Sequence, residues 1–127
     1  MFITTNQNMM LMETGNKIFD WAEGIQCAVT VCDTKGVVLY MNKRSRDTFN
    51  REGQTMIGQS MIPCHNERSQ AKIREMLTQG TTNCYTISKC GQRKMIYQTP
   101  WVEGGEVQGL VEFSFVIPED MPHYDRG

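Results

Sequence analysis

The sequence CAVTVCDTKGVVLYMN, residues 27–42, decides the fold, because it contains two short apolar segments separated by a tight turn. Residues 28–32 and 37–40 have the length and composition of strands. Between them, Asp33 can hydrogen-bond the backbone two residues further on, and Gly36 adopts positive φ without a steric cost. The stretch therefore predicts an antiparallel hairpin that ends at Asn42.

Helical segments are expected after the hairpin. Asn42 can cap a helix that starts at Lys43, since its side-chain oxygen can accept N–H groups that the first turn leaves open. The rest of residues 43–60 is mostly polar with isolated apolar anchors, which is typical of short helices joined by glycines. Residues 66–77 predict a longer helix with Asn66 as its N-cap. Its inner stripe contains Ile73, Met76 and Leu77.

The last third of the chain predicts three strands, at residues 82–89, 94–102 and 107–116. Alternation places one set of side chains on each face, and Pro100 predicts a bulge or the end of regular pairing. The aromatic side chains of these strands are expected to divide between the core and the sheet surface; they are Tyr97, Trp101, Phe113 and Phe115.

The N-terminal region is expected to differ from the rest. Residues 1–13 predict a disordered or partner-dependent segment, and residues 14–25 an amphipathic helix whose stripe includes Ile18, Trp21 and Ile25. This stripe must be buried against the chain's own sheet or against a second copy, and the sequence leaves both open. The main domain is predicted over residues 26–117, with residues 118–127 as a tail.

Composition excludes several classes of function. Thirteen basic and fourteen acidic side chains give a net charge of −1, so neither nucleic acid nor an anionic membrane is an expected partner. No apolar run reaches the roughly 20 residues that span a bilayer, and no secretory leader is recognisable. Five cysteines without a tight pattern suit reduced thiols, which predicts a cytoplasmic location.

The predicted order of two strands, short helices, one longer helix and three strands resembles that of PAS domains. The resemblance covers about residues 22–117 and is carried by the hairpin that ends at Asn42, by Gly58 and by the terminal strand GLVEF at residues 109–113. It implies an α+β fold in which a five-stranded antiparallel sheet carries the helices on one face. It further implies a sensory domain that binds a small ligand, a cofactor or a signalling protein and relays a conformational change through its N-terminal helix or dimer interface.

A finer resemblance concerns Cys64 and His65. The stretch GQSMIPCH at residues 58–65 resembles a Cys-His segment in PAS domains of certain bacterial sensors, some of them attached to hemerythrin-like domains; prolines commonly follow the pair there, whereas Asn66 and Glu67 follow it here. The segment precedes the long helix, the region from which haem-binding PAS domains present an axial histidine. Haem is therefore one candidate cofactor, against a structural histidine bonded to backbone. The expected pocket residues are Phe49, Ile57, Cys64, His65 and Ile73.

Other functions remain as alternatives. The chain has no phosphate-binding glycine loop, nucleophile elbow or convincing acid–base pair, so it is not expected to be an enzyme. Zinc bound by Cys64, His65, Cys84 and Cys90 matches no standard spacing. A homodimer is expected through the N-terminal stripe. The first alternative is a ligand-free dimerisation or interaction module, and the second is a haem-based redox or gas sensor that uses His65.

Overall fold

The computed structural model describes residues 21–127. The prediction for residues 1–13 and most of the helix predicted at residues 14–25 lie outside the described residues. The described end of that segment, residues 21–24, is helical and leads into the first strand. The remaining elements follow in the predicted order of strands, short helices, one longer helix and strands. They are β1 (Ala28–Asp33), β2 (Val38–Met41), α1 (Lys43–Phe49), a 3₁₀ turn (Ile62–Cys64), α2 (Glu67–Gln79), β3 (Asn83–Lys89), β4 (Gln92–Glu103) and β5 (Glu106–Ile117).

The five strands form one antiparallel sheet in the order β2-β1-β5-β4-β3. The first hairpin therefore pairs with the last strand, and β5 lies in the centre of the sheet. The predicted α+β architecture is confirmed. Pro100 lies beyond the paired part of β3, where β4 has a neighbour only in β5, and a register shift follows between Trp101 and Val102. The missing N–H of proline is tolerated at such a one-sided position.

The core lies between α2 and the sheet. Ile73, Met76 and Leu77 are the buried residues of α2, as the predicted stripe requires. They pack in one cluster with buried side chains from β1, β2, β5 and the residue before the 3₁₀ turn, namely Cys32, Val38, Met41, Met61 and Leu110. Cys32 on β1 and Leu110 on β5 are paired, and both side chains face the helices. Since paired residues share a face and residues alternate along a strand, every second residue from Leu110 also faces the helices.

The aromatic residues of β4 and β5 all lie on the opposite face. Tyr97 pairs with Phe113 and Met95 with Phe115, one position out of phase with the helix-facing Leu110. The predicted alternation is correct, but the expected division of these aromatics between core and surface is wrong. The rings of Phe113 and Phe115 stack with their centroids 5.7 Å apart and their planes inclined by 7°. The helix-facing positions of the same strands include the polar Gln98, Glu112 and Ser114 beside the buried apolar Ile96 and Leu110.

Asn42 joins the segments that meet at the beginning of the sheet. Its side-chain oxygen accepts from the N–H of Ser45, as the predicted cap requires, and from the N–H of Val29, both at 2.9 Å. Its amide nitrogen donates to the carbonyls of Ala22 and Cys27, both at 2.8 Å. The side chain is fully buried, so water cannot replace these bonds. Asn42 is thus a junction as well as a cap.

We expect Asn42→Ala to lower the free energy of unfolding by about 3 kcal/mol, because it orphans several buried backbone groups at once. Asn66→Ala is the matched control. Asn66 also caps a helix, but it is exposed and accepts only from Ser69, so its loss should cost about 1 kcal/mol. Denaturant unfolding of the two variants measures the difference, and equal costs would reduce Asn42 to an ordinary cap.

Candidate functional site

A cleft of about 690 Å³ opens between α2 and the helix-facing side of β3 and β4. One wall comes from α2 and from His65 just before it, and the opposite wall comes from the two strands. Most of the lining side chains are polar or charged. They are His65, Arg68, Ser69, Ala71, Lys72, Ile73, Glu75, Asn83, Tyr85 and Gln98. The volume is within the range of small-molecule sites.

A row of three polar side chains crosses the sheet at this cleft. Asn83, Gln98 and Glu112 are direct neighbours on β3, β4 and β5. The Nδ2 of Asn83 donates to the Oε1 of Gln98 at 3.1 Å, and the Nε2 of Gln98 donates to the Oε1 of Glu112 at 2.7 Å. Gln98 is 4 % exposed, so its end of both bonds is shielded from water, whereas Asn83 and Glu112 are only partly buried. Glu112 does not line the cleft itself, but it is hydrogen-bonded to Gln98, which does.

Two ionisable groups adjoin Gln98. Burial raises the pKa of Glu112, while the hydrogen bond from Gln98 and the nearby His65 act to lower it. Burial also raises the pKa of Tyr85; the charge of Glu112 raises it further, and hydrogen bonding with Gln98 lowers it. The amide of Gln98 therefore lies between an acid and a phenol that both favour their neutral forms more than in water.

His65 is held by the backbone around it. Its Nδ1 lies 2.8 Å from the carbonyl oxygen of Met61. Because a carbonyl only accepts, Nδ1 carries the proton and the Nε2 of the neutral ring keeps a lone pair. The Nε2 of Gln70 in turn donates to the carbonyl of His65 at 2.7 Å. Among residues 21–127, no side chain or backbone group is hydrogen-bonded to the Nε2 of His65.

The charges of α2 lie along the mouth of the cleft. The ammonium of Lys72 is 2.8 Å from a carboxylate oxygen of Glu75, one helical turn further on. Arg68 lines the same cleft and has no ion-pair partner within residues 21–127. The described lining therefore carries one uncompensated positive charge.

The structure brings together only part of the site predicted from the sequence. His65 and Ile73 line the cleft, and Ile73 also belongs to the core. Phe49 packs against the core from α1, Ile57 is exposed beside Val38 of β2, and Cys64 is exposed in the 3₁₀ turn. These three do not line this cleft.

The surroundings of His65 suit a porphyrin poorly. Its Nε2 has the lone pair of an axial ligand, and the carbonyl on Nδ1 is a usual second partner of such a histidine. The lining, however, offers few apolar side chains to a haem plane, and most of the others are polar or charged. Within residues 21–127, no three His, Cys, Asp or Glu side chains cluster as metal ligands, so Cys64, His65, Cys84 and Cys90 do not form a zinc site there.

The sheet order, the helices on one face and the cleft between them can be compared with known families. The family model described as PAS fold matches residues 22–119, well over half of the chain. The chain belongs to the PAS family. The family resemblance inferred from the hairpin, Gly58 and the terminal strand is thereby confirmed, whereas nothing separately confirms the Cys-His subgroup. No curated protein matches the sequence.

Solved structures agree with this PAS fold at low sequence identity. The PAS domain of an HTR-like protein from Haloarcula marismortui superposes with a TM-score of 0.60 at 14% identity, covering 87% of this chain and 98% of that one. A sensory box sensor histidine kinase from Vibrio cholerae gives 0.59 at 12%, covering 88% and 98%. VqmA bound to DPO gives 0.61 at 14%, covering 80% and 57%. The PAS fold recurs in sensory signalling proteins, where it is generally a non-catalytic module.

The polar residues of the cleft were missed by sequence reasoning. Asn83, Gln98 and Glu112 lie on separate strands, 15 and 14 residues apart along the chain. The alternation of β5 separates Glu112 from the aromatic face, and this was a signal that a buried polar row was present. Only the strand register shows which residues it joins.

Within residues 21–127, no helix is long and apolar enough to cross a membrane.

We expect Glu112→Gln to change how stability depends on pH. The raised folded-state pKa makes wild-type stability fall as pH rises above the usual value of 4.5 and through the folded pKa. Glutamine keeps the acceptor for Gln98 and does not ionise, so the stability of the variant relative to wild type should increase across that window. Urea unfolding from pH 4 to 8 measures this change. Glu119→Gln in the exposed tail should leave the profile unchanged, and parallel profiles for Glu112→Gln and wild type would contradict the burial of Glu112.

His65→Ala should lower the free energy of unfolding by about 1 kcal/mol. The cost is modest because the carbonyl of Met61 also accepts from the N–H of Cys64 at 3.2 Å. The visible absorption spectrum of purified wild-type protein provides the second readout. A strong absorption band that disappears in His65→Ala would instead support haem.

Proposed function

We propose that this chain is a sensory PAS domain that binds a small polar molecule in the cleft between α2 and β3–β4. Binding would be relayed to the segment that precedes β1. The observation that carries this proposal is the row of Asn83, Gln98 and Glu112, because it connects the lining amides of the cleft to a partly buried carboxyl in the centre of the sheet. The small-molecule complex of VqmA gives a parallel for the same fold.

The polar row continues toward the N-terminal junction. Thr30 on β1 is the direct neighbour of Glu112 on β5. Its hydroxyl is 2.6 Å from the hydroxyl of Ser45, which is fully buried in α1. The N–H of Ser45 donates to Asn42, and Asn42 donates to the carbonyl of Ala22. Neighbouring polar groups thus extend from the cleft to the helical residues 21–24.

A second set of bonds holds the same helical residues. The guanidinium of Arg46 binds both carboxylate oxygens of Glu23, at 3.0 and 2.6 Å. Arg46 also donates to the carbonyl of Met41, and the hydroxyl of Tyr40 donates to Glu23 at 3.1 Å. Hydrogen bonding with Arg46 lowers the pKa of Glu23, which therefore keeps its charge. Residues 21–24 are thus attached both to β2 and to α1.

A relay of this kind needs a ligand with different affinities for two arrangements of the row. Gln98 supplies such a choice. Its amide is bonded to Asn83 on one side and Glu112 on the other, so a ligand that takes over either bond leaves a partly buried partner unsatisfied. The partner must then reorient or change its protonation state.

The relay can be tested without knowledge of the ligand by Gln98→Leu, which removes both bonds of the amide at similar volume. We expect amide chemical shifts to change at Thr30, at Ser45 and in residues 21–24, and hydrogen-exchange protection of the last to fall by about tenfold, the equivalent of one hydrogen bond. Two-dimensional ¹⁵N NMR and exchange measurements record both effects. Gln108→Leu, near the start of β5, is the matched control. Changes confined to the neighbours of residue 98 would contradict the relay.

A ligand-free homodimerisation module is the second candidate, and the outer face of the sheet favours it. Several apolar side chains on this face are partly buried or exposed, and Trp21 in the helical residues before β1 is 52% exposed. The apolar members are Val31, Met95, Tyr97, Val111, Phe113 and Phe115. Contiguous apolar surface of this kind commonly marks an association site.

Tyr97→Glu tests this alternative, since it places a charge on the outer face and leaves the helix-facing side intact. We expect wild type to be dimeric at micromolar concentration and the variant to dissociate at least tenfold more readily, or about 1.4 kcal/mol. Multi-angle light scattering over a dilution series measures both. Tyr124→Glu in the exposed tail is the control. Monomeric wild type would eliminate this alternative and leave the sensory proposal standing.

A further inference from the structure

The inner end of the cleft is rich in hydrogen-bond acceptors. The Nε2 of Gln98 donates to Glu112 on β5, and the Oε1 of Gln98 faces Asn83. That oxygen accepts from Asn83 at 3.1 Å, and the hydroxyl of Tyr85, which also lines the cleft, interacts with the same amide. The Oδ1 of Asn83 accepts no hydrogen bond from residues 21–127. The Oδ1 of Asn83 and the Nε2 of His65, both in the lining, are thus available to a donor group of a ligand.

The mouth of the cleft has the opposite character. Arg68 has a planar set of donors that binds carboxylates in a bidentate manner, and it has no ion pair within residues 21–127. Lys72 is already bonded to Glu75 and adds no net charge. A cationic ligand would therefore meet an uncompensated positive charge at the entrance, and a purely apolar ligand would cover polar groups without satisfying them.

We infer that the cleft binds a small carboxylate that also bears a hydrogen-bond donor, of the hydroxy-acid or amino-acid type. The carboxylate pairs with Arg68 at the mouth, and the hydroxyl or amino group donates to the acceptors near Gln98. The inference rests on the proposed ligand-binding function of the cleft and adds the chemical class of the ligand. Because its two ends differ, such a ligand binds in one orientation, with its carboxylate at Arg68 and its donor group toward the polar row.

Four probes separate these requirements. L-Lactate and L-serine carry both groups, acetate carries only the carboxylate, and glycerol carries only donors. In ¹⁵N NMR titrations of the full chain, we expect L-lactate or L-serine to bind with a Kd on the order of 1 mM or tighter, at least tenfold tighter than acetate and glycerol. The shifted resonances should include those of Arg68 and Gln98.

Arg68→Gln should weaken the binding of the better probe about tenfold, the equivalent of one charge-assisted pair. Arg74→Gln is the control, because it makes the same change of charge on the same helix outside the cleft lining. It should change the affinity by less than about twofold, in keeping with the weakness of exposed charge effects. Equal losses in both variants would mean attraction by net charge only.

Two results would overturn this ligand class: acetate binding as tightly as L-lactate and L-serine, or no shift with any of the four probes. Neither result decides the sensory proposal. That proposal is tested separately by Gln98→Leu, which needs no ligand. A change transmitted from residue 98 to residues 21–24 without binding of these probes would keep the relay and reject the carboxylate.

Discussion

The four hydrogen bonds of the Asn42 side chain are the constraint on which the arrangement of this domain depends. They place the end of the N-terminal helical segment, the first strand and α1 around one fully buried amide. An amide with two donors and two accepting lone pairs is fully satisfied by this set. Because no water reaches it, a displacement of any one of these segments leaves a buried polar group unpaired.

The sheet carries polar side chains on the face that also contributes to the core. Its aromatic side chains face outward, whereas Gln98 and Glu112 lie on the helix-facing side together with core residues such as Leu110. Taking such polar groups out of water costs free energy unless each is paired, and the row from Asn83 to Glu112 provides the pairing. An apolar row at the same positions would pack against α2 with less need for exact register. The polar row therefore gives this face a defined hydrogen-bond pattern across three strands.

Local signals were sufficient to predict the fold, but they were not sufficient for the site. The Asp33–Gly36 turn, the caps at Asn42 and Asn66 and the stripe of α2 are each determined within a few residues, and all of them are confirmed. His65 and Ile73 were found because they flank or belong to that helix. Phe49 and Ile57 were expected in the pocket because they are apolar, yet Phe49 joins the core and Ile57 is exposed beside β2. The polar row of Asn83, Gln98 and Glu112 depends on the register of three strands, which no local pattern specifies.

The two networks that meet at residues 21–24 differ in how a signal can change them. Glu23 and Arg46 form a partly exposed ion pair, which water and salt weaken. The Asn42 junction is buried, and its bonds must exchange partners rather than merely weaken. Ser45 is bonded to the junction and not to the ion pair, so the junction is the nearer of the two networks to Thr30. If the relay operates, the buried amide determines the direction of the response, and the ion pair limits how far the helical segment moves.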